Sequence, residues 1–140
     1  MLEINLKEGM TYTLQKRVAY EDTTVSFGRS GIETLLSTPA LVTMMIEAAV
    51  GLVGYNISDG YITVAKNLEI IHENPTLQGM MVTVEAKLIK IEGNVLFFEI
   101  VCHDELGEIA FGKLERHIVY KSALIQKAHE RAEILEGKNR

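Results

Sequence analysis

The most apolar stretch of the chain contains one carboxylate. Residues 37–55 read STPALVTMMIEAAVGLVGY, and after the first two of them only Thr43 and Glu47 are strongly polar. A carboxylate is almost never fully buried unless another group pairs with it. An acid crowded by Ala, Gly and Met is typical of a functional site, because such surroundings perturb its pKa. Glu47 is therefore the first candidate for proton-transfer chemistry.

Histidine, hydroxyl and amide groups supply the other parts that such chemistry needs. An imidazole titrates near neutral pH, so His72, at the end of a predicted strand, suits the role of proton acceptor. Thr38 followed by Pro39 predicts a helix start, with Thr38 as the N-cap and Pro39 as the first helical residue. Since Pro39 has no N–H, the amides of Ala40 and Leu41 are the ones expected to bind an oxyanion.

The pattern around these residues predicts an α+β domain in which a curled antiparallel sheet wraps one long central helix. That helix is expected to be buried on nearly every side. A second, amphipathic helix at 122–136, capped by Ser122, is expected to lie on the surface. Val25 and Phe27 fit a further short strand within residues 20–30. The main strands are predicted by alternation and turn residues at 10–19, 61–72, 80–91, 95–103 and 108–120.

Composition restricts the classes of function. The 140 residues, without linker or repeat, predict a single domain over 1–140. A net charge of -5 gives no general attraction for nucleic acid or an anionic membrane. Cys102 is the only cysteine, which excludes an internal disulfide and a cysteine zinc site and favours a reducing compartment. With no signal segment, metal-ligand spacing or nucleotide-binding motif, we expect a cytoplasmic protein without metal or cofactor.

Three short runs follow one another along the chain. The first is TPALV at 38–42 before MIE at 45–47. The second is HENPTLQG at 72–79, in which a glycine follows the histidine by seven residues. The third combines HD at 103–104 with EI at 108–109 and ER at 115–116. In this order they resemble the helix start, the histidine segment and the last hairpin of hot-dog-fold acyl-CoA thioesterases, specifically the fluoroacetyl-CoA-thioesterase-like family.

The resemblance implies that Thr38, Glu47 and His72 hydrolyse an acyl-CoA thioester, in which coenzyme A is part of the substrate. It also implies a homodimer or higher homo-oligomer with sites near the subunit boundary. In that family the threonine and glutamate lie eight residues apart, whereas here they lie nine apart, on opposite sides of a regular helix. An N-cap position for Thr38, a helix bulge, or use of Thr43 instead would resolve the difference. Arg116 is expected to pair with Glu47, contact a phosphate of coenzyme A, or lie in solvent.

Two other functions fit the same fold. A hydratase or dehydratase acting on an acyl thioester usually has a histidine near the start of the central helix, and none of the four histidines lies there. A non-catalytic module that binds acyl-CoA or fatty acid is the other alternative, since the nine-residue spacing weakens a catalytic triad. Each candidate also has a plain structural reading: a helix cap for Thr38, an interface carboxylate for Glu47 and a solvated strand end for His72.

Overall fold

Five strands and two α-helices make up the protein in a computed structural model that describes residues 1–27 and 34–137. No helix in these ranges is long and apolar enough to cross a membrane. In chain order the elements are β1 (Thr11–Arg17), α1 (Thr38–Val53), β2 (Tyr61–His72), β3 (Met81–Glu92), β4 (Val95–Asp104), β5 (Gly107–Tyr120) and α2 (Lys121–Gly137).

The strands form one antiparallel sheet in the order β1-β3-β4-β5-β2. Short turns join β3 to β4 and β4 to β5, and Gly93 provides the positive φ of 60° that the first of these turns requires. Alternate residues of β4, such as Phe98 and Ile100, are buried. They share the core with Met45 and Ala48 of α1. The predicted sheet curled around a central helix is therefore confirmed, and β2 is one edge of that sheet.

Helix α1 differs from its prediction at its start and in its burial. Ser37 is the N-cap, because its hydroxyl accepts a hydrogen bond from the Ala40 amide, so the prediction of Thr38 as the cap was wrong. One side of the helix is exposed, with Glu47 and Val50 on it, so the predicted burial on nearly every side was also wrong. The sheet covers one side of α1, and no element of the described chain covers the other.

Two further expectations differ from the structure. Residues 20–27 form two short 3₁₀ turns, Tyr20–Asp22 and Thr24–Ser26, in place of a strand. The buried Asp22 carboxylate folds the first turn by accepting hydrogen bonds from the Ala19 amide and from Lys16 Nζ. Residues 28–30 of the predicted segment lie outside the described residues. Helix α2 begins at Lys121, directly after β5, rather than after a cap at Ser122, and all its residues are exposed.

Candidate active site

The entry of α1 and the exit of β2 are tied together, which brings Thr38 and His72 side by side. The segment before α1 pairs with the segment after β2 through a bridge between Leu35 and Leu77. The Leu36 amide also donates to the carbonyl of the buried Thr76, at 2.8 Å. Because both anchors lie within five residues of the site, they fix the helix start against the strand end.

The Thr38 hydroxyl oxygen lies 2.8 Å from His72 Nδ1. In the tautomer that carries its proton on Nε2, His72 accepts the Thr38 hydroxyl hydrogen at Nδ1. Both side chains line a cleft of about 260 Å³, together with Ser37, Glu73 and Asn74. A hydroxyl bonded to an imidazole at this distance is the arrangement of a nucleophile and its general base. The two residues therefore form a dyad that is open to a ligand in the cleft.

Burial controls the protonation of His72. Loss of solvent lowers its pKa below the ordinary value of 6.5, and the backbone of Asn74 offsets this only in part. The imidazole is therefore mostly neutral at pH 7, which is the form that accepts a proton. His72 Nε2 is buried and has no hydrogen-bond partner in the described part of the chain. A buried donor without an acceptor is rare in proteins, so this atom has the capacity for one further hydrogen bond.

One amide at the helix start, that of Thr38, has no acceptor among the residues that the structure describes. The Ala40 amide donates to Ser37 Oγ, and the Leu41 amide donates to the Ser37 carbonyl, both at 3.1 Å. Neither is available to an oxyanion, so the sequence prediction for these two amides was wrong. Pro39 has no N–H, and the Thr38 N–H has no acceptor among residues 1–27 and 34–137. This one amide adjoins the hydroxyl of the dyad, in the positive field of the helix N-terminus.

Glu47 lies away from His72 within one chain. It is exposed, and its charge helps to raise the pKa of Lys16 on β1, after the larger effect of the hydrogen bond from Lys16 to Asp22. The helix is regular, without a bulge, so nine residues turn Glu47 to the side opposite Thr38. Thr43 does not replace Thr38, because its exposed hydroxyl donates to the Pro39 carbonyl on the Glu47 side.

Arg116 neither lies in solvent nor pairs with Glu47, so these two of its three predicted environments were wrong, and contact with a phosphate of coenzyme A stays a prediction. It is only 6% exposed, and it donates from Nε to the Thr63 hydroxyl and from Nη2 to the Thr63 carbonyl. No carboxylate forms an ion pair with it in the described ranges, and Glu47 in particular does not. It links β5 to β2 beside the register shift between Ala65 and Asn67.

Two residues that position the site escaped the sequence analysis. Ser37 caps α1 and donates its hydroxyl to the Asp22 carbonyl, which also accepts from the Ser37 amide. Ser is as good an N-cap as Thr, and Pro is tolerated throughout the first turn, so the Ser-Thr-Pro run contained this alternative. Asp22 gave no comparable signal, because its burial depends on how residues 18–26 fold over the helix start.

The described residues contain no cluster of three His, Cys, Asp or Glu side chains able to hold a metal ion. The dyad cleft itself offers a hydroxyl, an imidazole and one backbone donor. Together these groups can attack a carbonyl carbon, move a proton and bind the negative charge that develops on the carbonyl oxygen. Acyl transfer is the class of reaction that needs all three.

Comparison with known proteins agrees with this class. The family model described as "FlK: Fluoroacetyl-CoA-specific thioesterase" matches residues 18–122. A hot-dog-like protein from Thermanaerovibrio acidaminovorans is 26% identical, with 89% of this chain and 91% of that chain covered and a TM-score of 0.84. A Thermus thermophilus hypothetical protein, a thioesterase superfamily member, is 27% identical, with coverage of 91% and 96% and a TM-score of 0.81.

A mutant of FlK itself shares the fold, at 23% identity, coverage of 90% and 97% and a TM-score of 0.83. None of the curated proteins matches the chain. The family model covers 105 of the 140 residues, and it includes Thr38, Glu47 and His72. The chain therefore belongs to the fluoroacetyl-CoA-specific thioesterase family, has the hot-dog fold and is a thioester hydrolase.

Proposed function

We propose that the protein hydrolyses an acyl-CoA thioester to a free carboxylic acid and coenzyme A in the cleft between Thr38 and His72. The observation that carries the proposal is the 2.8 Å hydrogen bond between the Thr38 hydroxyl and His72 Nδ1. The related thioesterase FlK has been crystallised with fluoroacetate and CoA, which supports a CoA ester as the substrate class.

In the proposed reaction, His72 removes the hydroxyl proton while Thr38 Oγ1 attacks the thioester carbonyl carbon. The Thr38 N–H binds the oxyanion, and the proton on His72 then passes to the departing coenzyme A thiolate. Water attacks the resulting ester in the second half, again with His72 as the base, and releases the acid. In each half-reaction His72 takes up one proton and then releases one, so no external acid or base is consumed.

The partner for His72 Nε2 is proposed to be Glu47 of a second copy of the chain. The exposed face of α1 carries Glu47 beside the exposed apolar side chain of Val50, and the half-buried Ile46 borders it. β2, which ends at His72, is a sheet edge, and an unpaired edge strand readily pairs with another chain. These two open surfaces favour the homodimer that the family resemblance implies. A carboxylate at Nε2 would orient the imidazole and stabilise its protonated form.

Thiol release from a panel of acyl-CoA esters tests the assignment. His72→Ala and Thr38→Val should each lower kcat/KM by roughly 10²–10⁴-fold for the best substrate, the usual contribution of a general base or nucleophile. Thr11→Val is the matched control, because it removes an exposed threonine hydroxyl on β1, at the sheet edge opposite to the one that ends at His72. Wild-type rates for His72→Ala and Glu47→Ala on every ester would show that the site is elsewhere.

The same variants separate the two ways of attacking the carbonyl. If Thr38 is the nucleophile, acyl-enzyme should accumulate on it and be visible by intact mass when deacylation is slow. A Thr38→Val protein that keeps the wild-type rate, while His72→Ala loses it, would instead mean that His72 activates water directly.

A further inference from the structure

The segment that follows His72 is held against the start of β5. Strands β2 and β5 pair as far as His72 and Ala110. Beyond this pair, the amides of Glu73 and Asn74 both donate to the Ile109 carbonyl, at 2.9 and 3.2 Å. The chain therefore continues along β5 for two residues after β2 ends, and these contacts fix the direction in which the backbone leaves His72.

A shift of register in the sheet lies beside this contact. Cys102 of β4 is opposite Ala110, whereas His103 is opposite Glu108, so Ile109 is an extra residue in β5. Ile109 and Ala110 are both buried, although the side chains of a regular strand alternate between its two faces. Bulges of this kind are frequent next to active sites, where they redirect side chains. Here the bulge turns Ile109 into the core, and its carbonyl binds the segment that follows β2.

Asn74 supplies a further hydrogen bond to β5 through its side chain. Its Nδ2 donates to the Glu108 carbonyl at 2.8 Å. Pro75 has no N–H, so the backbone itself cannot provide the next donor along β5. The proline also favours an extended conformation for the residue before it, which is Asn74. The side-chain amide thus extends the contact with β5 by one residue.

Asn74 lies between the dyad and this contact. It lines the dyad cleft together with His72, and it lines a second cleft, of about 350 Å³, together with Glu108 and Ile109. Burial lowers the pKa of His72, and the backbone of Asn74 acts in the opposite direction, so this backbone is close to the imidazole. A displacement of Asn74 would therefore move the ring that is bonded to the Thr38 hydroxyl.

We propose that Asn74 is the positioning residue of the dyad, a role that rests on the proposed function of His72 as the base. Its side-chain bond to the Glu108 carbonyl holds the segment after β2, and this segment holds the imidazole at hydrogen-bonding distance from the Thr38 hydroxyl. Asn74 itself takes no part in the proton transfers. The HENP run and the EI run of the sequence are the two sides of this contact.

Asn94 provides a matched comparison for a bond that has only a structural role. It is exposed like Asn74, and its Nδ2 also donates to a carbonyl of β5, that of Ile118, at 3.0 Å. Ile118 lies near the end of β5 that is remote from His72, since His72 is opposite Ala110. Asn94→Ala therefore removes the same kind of hydrogen bond from the same strand, away from the dyad.

Steady-state thiol release and nitrogen NMR of the full-length protein test the role. With the acyl-CoA ester that the wild type hydrolyses fastest, Asn74→Ala should lower kcat by roughly 10- to 100-fold and leave KM unchanged, the cost of a misplaced catalytic group. Long-range ¹H–¹⁵N spectra of neutral His72 should change from one tautomer in the wild type to a mixture of two. Asn94→Ala should keep the wild-type kcat and the wild-type His72 spectrum.

The other results overturn the role in distinguishable ways. An Asn74→Ala protein that matches Asn94→Ala in kcat and in the His72 spectrum would show that Asn74 only stabilises the turn. A higher KM, with kcat and spectrum unchanged, would show that Asn74 contacts the substrate instead. Failure of the proposed function gives a separate result: His72→Ala would keep the wild-type rate, while a changed His72 spectrum in Asn74→Ala would still show that Asn74 positions the ring.

Discussion

Mixed dimers test whether Glu47 serves the site of the partner chain. The perturbation is a heterodimer of His72→Gln with Glu47→Gln, purified through two different affinity tags. In the proposed arrangement, one of its two sites contains an intact His72 from one chain and an intact Glu47 from the other. Such a dimer should therefore have about half of the wild-type activity, although each parent homodimer is nearly inactive.

A second heterodimer reverses the expectation. Wild type paired with the double variant His72→Gln/Glu47→Gln has no complete site if the two residues act across the interface, but one complete site if they act within a chain. The structure favours the first case, because α1 is regular and turns Glu47 to the side opposite Thr38. Thiol release with saturating acyl-CoA measures both dimers. Half activity here, together with an inactive first heterodimer, would refute action across the interface.

Further expectations concern protonation and stability. In Glu47→Gln, the acid limb of the pH profile of kcat/KM should have its midpoint below pH 6.5, because burial lowers the pKa of His72 and only the neutral imidazole accepts a proton. The wild-type midpoint should be higher, because the proposed carboxylate of Glu47 stabilises the protonated imidazole. Cys102, whose pKa burial raises to about 12, should resist iodoacetamide in native protein and react when unfolded. Arg116→Met should lower the free energy of unfolding by about 1–3 kcal/mol in urea, through the unsatisfied Thr63 carbonyl, without raising KM.

The sequence predicted the strands and the central helix well because their signals are local. Alternation in residues such as Val82, Val84 and Ala86 reports which face of β3 is buried, and these residues are fully buried. Residues 20–27 were mispredicted because their conformation depends on a contact between distant groups. The buried Asp22 is held by Lys16, and its carbonyl holds Ser37 fifteen residues later.

The helix start shows how two valid local rules can leave one residue of uncertainty. Ser37 and Thr38 are both good N-caps, and Pro39 fits the first or second helical position. The choice depends on Asp22, whose carbonyl accepts both the amide and the hydroxyl of Ser37. That displacement matters for the proposed chemistry, because it uses the amides of Ala40 and Leu41 within the helix start and leaves the Thr38 N–H, beside His72, without an acceptor among the described residues.

Glu47 shows the limit of inferring burial from a single chain. Its apolar neighbours predicted a carboxylate enclosed by its own fold, yet Val50 on the same side of α1 is 45% exposed. Helix geometry argued against this burial, since a spacing of nine residues places Glu47 on the side of α1 opposite to Thr38. Both observations agree if the apolar face is covered by another chain. In the proposed dimer, the hydrophobicity of that face reflects an interface, and Glu47 lies against His72 Nε2 of the second copy, an atom without a hydrogen-bond partner among the described residues.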